Sequence, residues 1–287
     1  MKPAWQKDDA LLQAIADARA RGQSRLWWLG QSGFLLHIAG KSLLFDPYLS
    51  DSLTKKYAQT DKPHERLTER VVSPNLLSGI DVVTSSHNHT DHLDSESLLP
   101  LLDANPQAML VVPRANVSVV LERLGNVETR LVPIDAGETV RVAGVELLGI
   151  AAAHNTVERD ERGRCRFLGF VATVGGLKLY HSGDTLLHDG LVPALRPLQV
   201  HIALVPINGN KPERKVAGNL NGAEAARLAF DIGARLAIPH HFDMFAFNTE
   251  PPDEFVAECG RLGQACQVLE NGQAVALEGL AAEGAKS

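Results

Sequence analysis

This chain has few cysteines, no excess of positive charge and no long apolar run. Its three cysteines are an odd number without metal-site spacing, and they predict no disulfide framework. No run approaches the roughly 20 apolar residues of a membrane span. Lys and Arg number 28 against 34 Asp and Glu, and the net charge of −6 argues against nucleic-acid binding. The polar run after Trp5 leaves no signal-peptide core, so we expect a cytoplasmic protein without a membrane or nucleic-acid partner.

The 287 residues are enough to bury one large core, and 45% of them are apolar. The spacing of apolar residues predicts an N-terminal helix over residues 8–21, followed by three short strands. Residues 48–75 are polar and aperiodic, which is typical of a lid or binding loop. Strands and helices then alternate up to a predicted hairpin over residues 267–277. This order favours a single α/β domain over residues 1–287, with helices outside two sheets.

Eleven histidines are the unusual feature of the composition, and three of them lie within six positions. The segment SSHNHTDHLD contains His87, His89, Asp91 and His92. Residues two apart in an extended segment point to the same side, so the first two imidazoles can share a ligand set. The segment lies between a predicted strand and a predicted helix that Asp94 can cap. The pattern H-x-H-x-D-H therefore predicts a metal site with imidazole and carboxylate ligands.

Three polar residues further along the chain stand where predicted strands give way to loops. They are His154, Asp184 and His241. Each alone could be an ordinary surface or core residue, but together they can complete the ligand set. The adjacent His240 is the alternative to His241.

The motif H-x-H-x-D-H, a downstream His, a G-D-T aspartate and a P-x-H near the C-terminus resemble the metallo-β-lactamase superfamily. The resemblance covers residues 27–277. The segments WLGQSGF, FDPYLS and PHHFD look more narrowly like the branch that contains the L-ascorbate-6-phosphate lactonase. The resemblance implies a four-layer αββα sandwich, the metallo-β-lactamase fold, with a dinuclear metal centre at one edge.

The resemblance assigns seven residues to that centre. It implies that one metal is held by His87, His89 and His154, that the second is held by Asp91, His92 and His241, and that Asp184 bridges both. Counting P-x-H from Pro239 selects His241 over His240. The implied ligands are nitrogen and oxygen atoms without a thiolate, which suit two divalent ions. Zinc and manganese are the expected metals, and iron also fits.

Other residues are candidates for supporting this centre or contacting the substrate. In the superfamily the aspartate equivalent to Asp46 supports the metal loop, and Asp243 adjoins a ligand, so both are candidate supporting residues. A strand predicted to end near the metals is followed by Asn208, Lys211 and Arg214, which are candidate substrate contacts. The two cations predict an anionic small-molecule substrate. The alternatives are a turn cap for Asn208 and a solvated turn for the charged loop.

The resemblance implies a metal-dependent hydrolase that opens a lactone or related ester, with phosphorylated sugar acids among the candidates. A hydroxide bridging the metals would attack the carbonyl, and Asp91 would hold it and shuttle its proton. Hydrolysis of a phosphodiester, as in phospholipase-D-type members, is the alternative. A di-iron oxidoreductase is less favoured. Flavodiiron proteins have the pattern H-x-E-x-D in the first motif, and this chain has His89 in place of the glutamate. A non-catalytic binder is disfavoured by the full ligand set, and a homo-oligomer is compatible with the sequence.

Overall fold

Two β-sheets form the centre of the molecule in a computed structural model, which describes residues 1–280. The strands are β1 (Arg25–Gly30), β2 (Gly33–Ile38), β3 (Lys41–Phe45), β4 (Val82–Thr84), β5 (Met109–Pro113), β6 (Leu131–Ile134), β7 (Thr139–Val142), β8 (Val145–Ala151), β9 (Leu168–Val174), β10 (Leu177–His181), β11 (Ile202–Pro206), β12 (Leu236–His240) and β13 (Ala274–Ala276). One sheet has the order β13-β1-β2-β3-β4-β5-β6, and the other has the order β12-β11-β10-β9-β8-β7.

Helices cover the outer faces of both sheets, except for one short helix, Ser52–Tyr57, which packs in a separate small cluster. The helices are α1 (Asp8–Ala20), α2 (Ser52–Tyr57), α3 (Ser95–Ala104), α4 (Val117–Leu124), α5 (Leu191–Leu195), α6 (Gly222–Asp231) and α7 (Asp253–Leu262). Apolar residues of α1, α3 and α4 share one core with the outer face of the seven-stranded sheet, and α5, α6 and α7 pack on the six-stranded sheet. The predicted αββα sandwich is therefore confirmed. Among residues 1–280, no helix has the length and apolar character needed to cross a bilayer.

Strand β1 shows how the sequence pattern produces this layering. Its apolar side chains alternate between two cores: Leu26 and Trp28 lie in the core between the sheets, and Trp27 and Leu29 lie beneath the outer helices. Side chains of a strand alternate between its two faces, so a strand buried on both sides needs a continuous apolar run. The run LWWL satisfies this requirement, which places β1 inside the sandwich.

The structure corrects one predicted connection and adds detail to another. Residues 267–277 do not form a hairpin, since Cys266 makes a single bridge to Ala237 beside one sheet while β13 pairs with β1 in the other. The chain crosses between the sheets at this point. The segment over residues 48–75 is irregular for much of its length, but it contains α2 and a 3₁₀ turn at Pro74–Leu76. Part of that segment therefore has regular structure that its polar composition concealed.

The strand directions bring several carboxyl ends to one edge of the sandwich. Strands β10, β11 and β12 are parallel, and β8 runs in the same direction as β10 because both are antiparallel to β9. The loops that follow β8, β10 and β12 carry His154, Asp184 and His241. Parallel strands present their following loops on the same side, as in other α/β sheets where ligands bind.

Candidate metal centre

The loop between β4 and α3 carries the first four candidate ligands. Its backbone is fixed by short local bonds: the Ser85 hydroxyl donates to the His87 carbonyl at 2.9 Å, and the His92 amide donates to the His89 carbonyl at 3.1 Å. Helix α3 then begins after Asp94. The Asp94 carboxylate accepts the Ser97 hydroxyl at 2.5 Å and no backbone N–H of the helix, so the predicted side-chain cap does not form.

The structure brings all seven candidate ligands together in two adjacent groups. The first group contains His87, His89 and His154, and the second contains Asp91, His92, Asp184 and His241. Within each group, one potential ligand atom from every residue lies within 4.8 Å of the others. Asp184 also approaches the first group, because its Oδ2 lies 3.5 Å from His154 Nε2. This arrangement matches the division of ligands that the resemblance implies.

Unpartnered buried atoms at the meeting point of these groups fit a bound cation. Within residues 1–280, His87 Nε2, His92 Nε2 and Asp184 Oδ1 are buried without a hydrogen bond, and the last two lie 3.3 Å apart. Buried polar atoms ordinarily have a partner, and leaving one unpaired costs about 1–3 kcal/mol. Imidazole nitrogens and carboxylate oxygens are ligands for zinc, manganese and iron. The donor set therefore fits divalent metal ions.

The histidine pKa values shift in opposite directions in the two groups. In the first group, burial and neighbouring imidazoles hold the pKa of His87 well below its ordinary value and lower the pKa of His89 to about 4. In the second, burial lowers the pKa of His92 and His241, but the Asp184 carboxylate and its neighbours outweigh burial. They hold the pKa of His92 well above its ordinary value and raise that of His241 to about 9. Metal ions would replace protons in the second group and meet neutral imidazoles in the first.

Asp46 holds the His92 ring in place, in agreement with its predicted supporting position. Both side chains are fully buried, and Asp46 Oδ2 lies 2.7 Å from His92 Nδ1. The same carboxylate accepts the Thr84 hydroxyl at 2.8 Å and the Ser86 amide at 3.1 Å. Because Nδ1 is engaged, Nε2 is the His92 nitrogen left for the second group. Asp46 has a φ of 37°, a strained conformation that such a bonding network can maintain.

Gln31 is a site residue that the sequence analysis missed. Its Nε2 donates to Asp91 Oδ2 at 2.8 Å and lies 3.0 Å from His241 Nε2. Its carbonyl also accepts the His241 amide at 3.0 Å, so the turn between β1 and β2 holds both ends of this ligand. The available signal was a long polar side chain inside an apolar hairpin, which by itself indicates only a turn.

The two adjacent histidines, His240 and His241, occupy different surroundings. His241 Nε2 lies 3.2 Å from Asp184 Oδ2, within the second group. The His240 ring instead stacks on His181, with centroids 5.2 Å apart, and its Nδ1 lies 3.2 Å from the Ser32 hydroxyl oxygen. His240 therefore joins the buried support beneath the site.

Asn208 lies behind the cavity wall and not in it. Its side chain is buried, accepts a hydrogen bond from Asn219 Nδ2 at 3.0 Å and donates to Asn248 Oδ1 at 3.0 Å. Asn219 and Asn248 line the cavity in its place. The predicted substrate contact is thus corrected: Asn208 connects two other amides that face the substrate space.

The charged loop also differs from its prediction. The Lys211 ammonium and the Arg214 guanidinium both pair with Glu250, and Arg214 donates further to the carbonyls of Asn208 and Thr249. Neither cation lines the cavity. The prediction was wrong because the partner of both cations, Glu250, is distant in sequence.

Asp243 does not contact the candidate ligands through its carboxylate. Its Oδ2 lies 2.9 Å from the Lys2 ammonium, in an ion pair that is partly exposed. Left-handed conformations occur at His241, with φ 61°, and at Asp243, with φ 56°. This turn gives Asp243 a surface ion pair in place of the predicted supporting contact.

A cavity of about 400 Å³ lies against both ligand groups. Volumes of this size are typical of small-molecule sites. Besides five of the ligands, the lining includes the amides Gln31, Asn88, Asn219 and Asn248, the cations Lys56 and Arg123, and the rings Tyr57, His64, Phe245 and Phe247. The cavity thus combines a polar metal end with apolar surface.

Known proteins with similar sequences indicate the family of this chain. A family model described as the beta-lactamase superfamily domain matches residues 41–242. A UPF0173 metal-dependent hydrolase of Rubrobacter xylanophilus is 28% identical over 248 residues, which are 84% of this chain and 91% of the relative.

Solved structures share the fold at low identity. Igni18, a metallo hydrolase from Ignicoccus hospitalis, is 21% identical with a TM-score of 0.64, covering 88% of this chain and 97% of that one. An isothiocyanate hydrolase from Delia radicum gut bacteria is 19% identical with a TM-score of 0.68, covering 88% and 98%. The family match, the relatives and the donor set support a metal-dependent hydrolase. The chain therefore belongs to the metallo-β-lactamase superfamily.

Proposed function

We propose that this metal-dependent hydrolase holds two divalent ions and opens a lactone or related ester of a small anionic molecule. The observation that carries the proposal is the pair of adjacent donor groups, whose unpartnered buried atoms converge beside a cavity. His87, His89 and His154 would hold one ion; Asp91, His92 and His241 would hold the other; and Asp184 would contact both. Zinc and manganese suit this donor set, and iron is an acceptable third metal.

Divalent ions in these positions would supply Lewis acidity and make a water molecule acidic enough to lose its proton near neutral pH. Asp91 lines the cavity with a partly exposed side chain, so it can accept that proton and return it to a leaving group. Gln31 holds Asp91 in position through the 2.8 Å bond to its Oδ2. The side-chain NH₂ of Asn248, which is partly exposed in the cavity wall, can donate to a substrate oxygen. Among the described residues that line the cavity, there is no serine or cysteine to act as a nucleophile.

We expect the anionic group of the substrate to bind cations other than Lys211 and Arg214, which the sequence had suggested. Glu250 occupies the charges of Lys211 and Arg214, whereas Lys56 lines the cavity, is exposed and pairs with no carboxylate of residues 1–280. Arg123 also faces the cavity, while its Nη1 bonds the carbonyls of Asn88 and Leu93. These cations support a carboxylate or phosphate on the substrate.

A substrate panel tests the proposal. We expect the metal-loaded protein to hydrolyse lactones, with or without a phosphate, and to lose the activity when a chelator removes the metals. Asp91→Asn should lower turnover by about 100-fold or more, because it removes both a ligand and a proton acceptor. Asp103→Asn, the same change at an exposed position of α3, is the matched control.

The panel should also contain phosphodiesters and isothiocyanates. Two-metal sites serve phosphodiester cleavage equally well. An isothiocyanate, like a lactone, presents an electrophilic carbon, and one relative in fold is named for that substrate. Hydrolysis of phosphodiesters alone, with every lactone left intact, would replace the proposed function by its alternative.

A further inference from the structure

A small apolar cluster, separate from the two main cores, stands beside the candidate metal centre. Its buried members are Tyr48, Leu53, Met244 and Phe245, with Tyr57 and Phe247 partly buried against them. All six residues come from α2 and its flanking loop or from the loop after β12. The cluster therefore joins two segments that lie outside both sheets, and it belongs to neither of the two main cores.

The rings of this cluster surround His64 in favourable geometries. Tyr57 stacks on His64 with centroids 4.3 Å apart and planes at 21°. Phe247 and Phe245 make edge-to-face contacts with the His64 ring, with ring centroids 4.5 and 5.0 Å away. Such stacked and edge-to-face arrangements are the preferred ones for aromatic rings. Burial lowers the pKa of His64, so its imidazole is uncharged at neutral pH and compatible with apolar neighbours.

These rings are also part of the cavity wall. The lining includes Tyr57, His64, Phe245 and Phe247, together with Leu53. Tyr57, His64 and Phe247 keep part of their surface exposed. Only about 5% of the chain is aromatic, yet three aromatic side chains and a histidine ring line this one cavity. Aromatic walls with a few placed polar groups are typical of sites that take flat apolar ligands.

We propose that this ring wall, formed by Tyr57, His64 and Phe247, is a subsite for an aromatic substituent of the substrate. The inference rests on the proposed function, since it names the class of lactone or ester that the same cavity takes. Lys56 lies nearby, with its Nζ 5.2 Å from the centroid of the Tyr57 ring. An aromatic acid derivative would place its ring on the wall and leave an anionic group within reach of this ammonium.

Binding of carboxylate probes to the metal-loaded protein tests the subsite independently of catalysis. Phenylacetate, cyclohexylacetate and acetate share one carboxylate, so differences in their Kd, measured by calorimetry, report the ring. We expect phenylacetate to bind about 10-fold more tightly than acetate and several-fold more tightly than cyclohexylacetate. Equal binding of phenylacetate and cyclohexylacetate would overturn the aromatic assignment.

Two variants separate the wall from general apolar surface. Phe247→Leu retains an apolar side chain without the ring, and we expect it to lose most of the preference for phenylacetate. Phe230→Leu makes the same change on an exposed ring of α6, outside the cavity, and should keep the preference. Equal losses in both variants would overturn the inference. Tyr57→Leu provides a second test at a partly exposed position if the first variant folds poorly.

A pair of lactones then connects the subsite to turnover. The ratio of kcat/KM for α-phenyl-γ-butyrolactone over γ-butyrolactone should exceed about 10 and should fall in Phe247→Leu. If neither lactone reacts while phenylacetate still binds preferentially, the subsite stands and the proposed function fails. If both lactones react equally and phenylacetate shows no preference, the proposed function stands and the subsite fails.

Discussion

At the scale of single residues, buried contacts fix which nitrogen of two candidate ligands, His92 and His154, is left free to face a metal. The 2.7 Å contact between Asp46 Oδ2 and His92 Nδ1 is the clearest case, because both side chains are fully buried. His154 is held similarly, with its Nδ1 2.9 Å from the Gly218 carbonyl oxygen. The resemblance to the superfamily assigned the candidate ligands and Asp46, and the structure places these side chains together. The sequence analysis missed Gln31 and misplaced Lys211 and Arg214, because their partners are distant in the chain.

Asp46→Asn tests the support of the His92 ring. The amide has nearly the same size but no negative charge, and its single oxygen cannot accept at both positions that now serve His92 Nδ1 and the Ser86 amide. We expect the affinity for metal to fall about 10- to 100-fold with the fold retained. Competition with a chromogenic chelator measures the affinity, and Asp103→Asn is the control. An unchanged metal affinity would mean that His92 is oriented without Asp46.

The assignment of Lys56 to the substrate anion has a matched control one residue earlier. Lys56 lines the cavity. Lys55 lies outside the cavity lining, and its ammonium pairs with the Glu96 carboxylate at 2.7 Å. Exposed ionic contacts contribute about 0.2–1 kcal/mol, so Lys56→Ala should raise KM for an anionic lactone about 2- to 5-fold. Lys55→Ala should leave that KM unchanged. Steady-state kinetics with neutral and anionic lactones would refute the assignment if both variants behaved alike.

At the scale of elements, strands with continuous or alternating apolar residues and the tight turns between them were predictable, and the last connection along the chain was not. Strands β1, β2 and β3 have a clear apolar pattern and turn glycines, and they lie where the sequence predicts them. The short helix α5 was missed because five residues with an internal proline give no helical period. The predicted hairpin over residues 267–277 failed because its two arms belong to different sheets, a tertiary choice that local residues do not encode.

The turn that carries Asp184 gives a prediction at this scale. Gly183 has a φ of 58°, and a Cβ there would lie 2.7 Å from Ser86 Cβ and 2.8 Å from the Leu168 carbonyl oxygen. Gly163 has a φ of 77°, and a Cβ there would meet no atom within 4 Å, so this position separates backbone strain from crowding. Gly183→Ala should reduce the free energy of unfolding by about 1–3 kcal/mol more than Gly163→Ala. Urea denaturation measures both, and equal losses would contradict the crowding argument.

At the scale of the whole molecule, the sandwich collects the loops after β4, β8, β10 and β12 at one edge, so candidate metal ligands that are far apart in the chain lie together. The superfamily resemblance predicted this architecture, and the family match over residues 41–242 agrees with it. The cavity wall could not be predicted in the same way. Its rings come from α2, the loop that follows it and the loop after β12, and their proximity depends on how the two sheets pack.

Metal content per chain is the measurement that tests the central claim most directly. The two donor groups meet at Asp184, whose carboxylate oxygens lie 3.3 Å from His92 Nε2 and 3.5 Å from His154 Nε2. After reconstitution with zinc or manganese, elemental analysis should find close to two ions per chain. Asp184→Asn should weaken binding at both positions, and Asp103→Asn should retain two ions. A reproducible value of one or zero in the reconstituted wild-type protein would contradict the dinuclear centre.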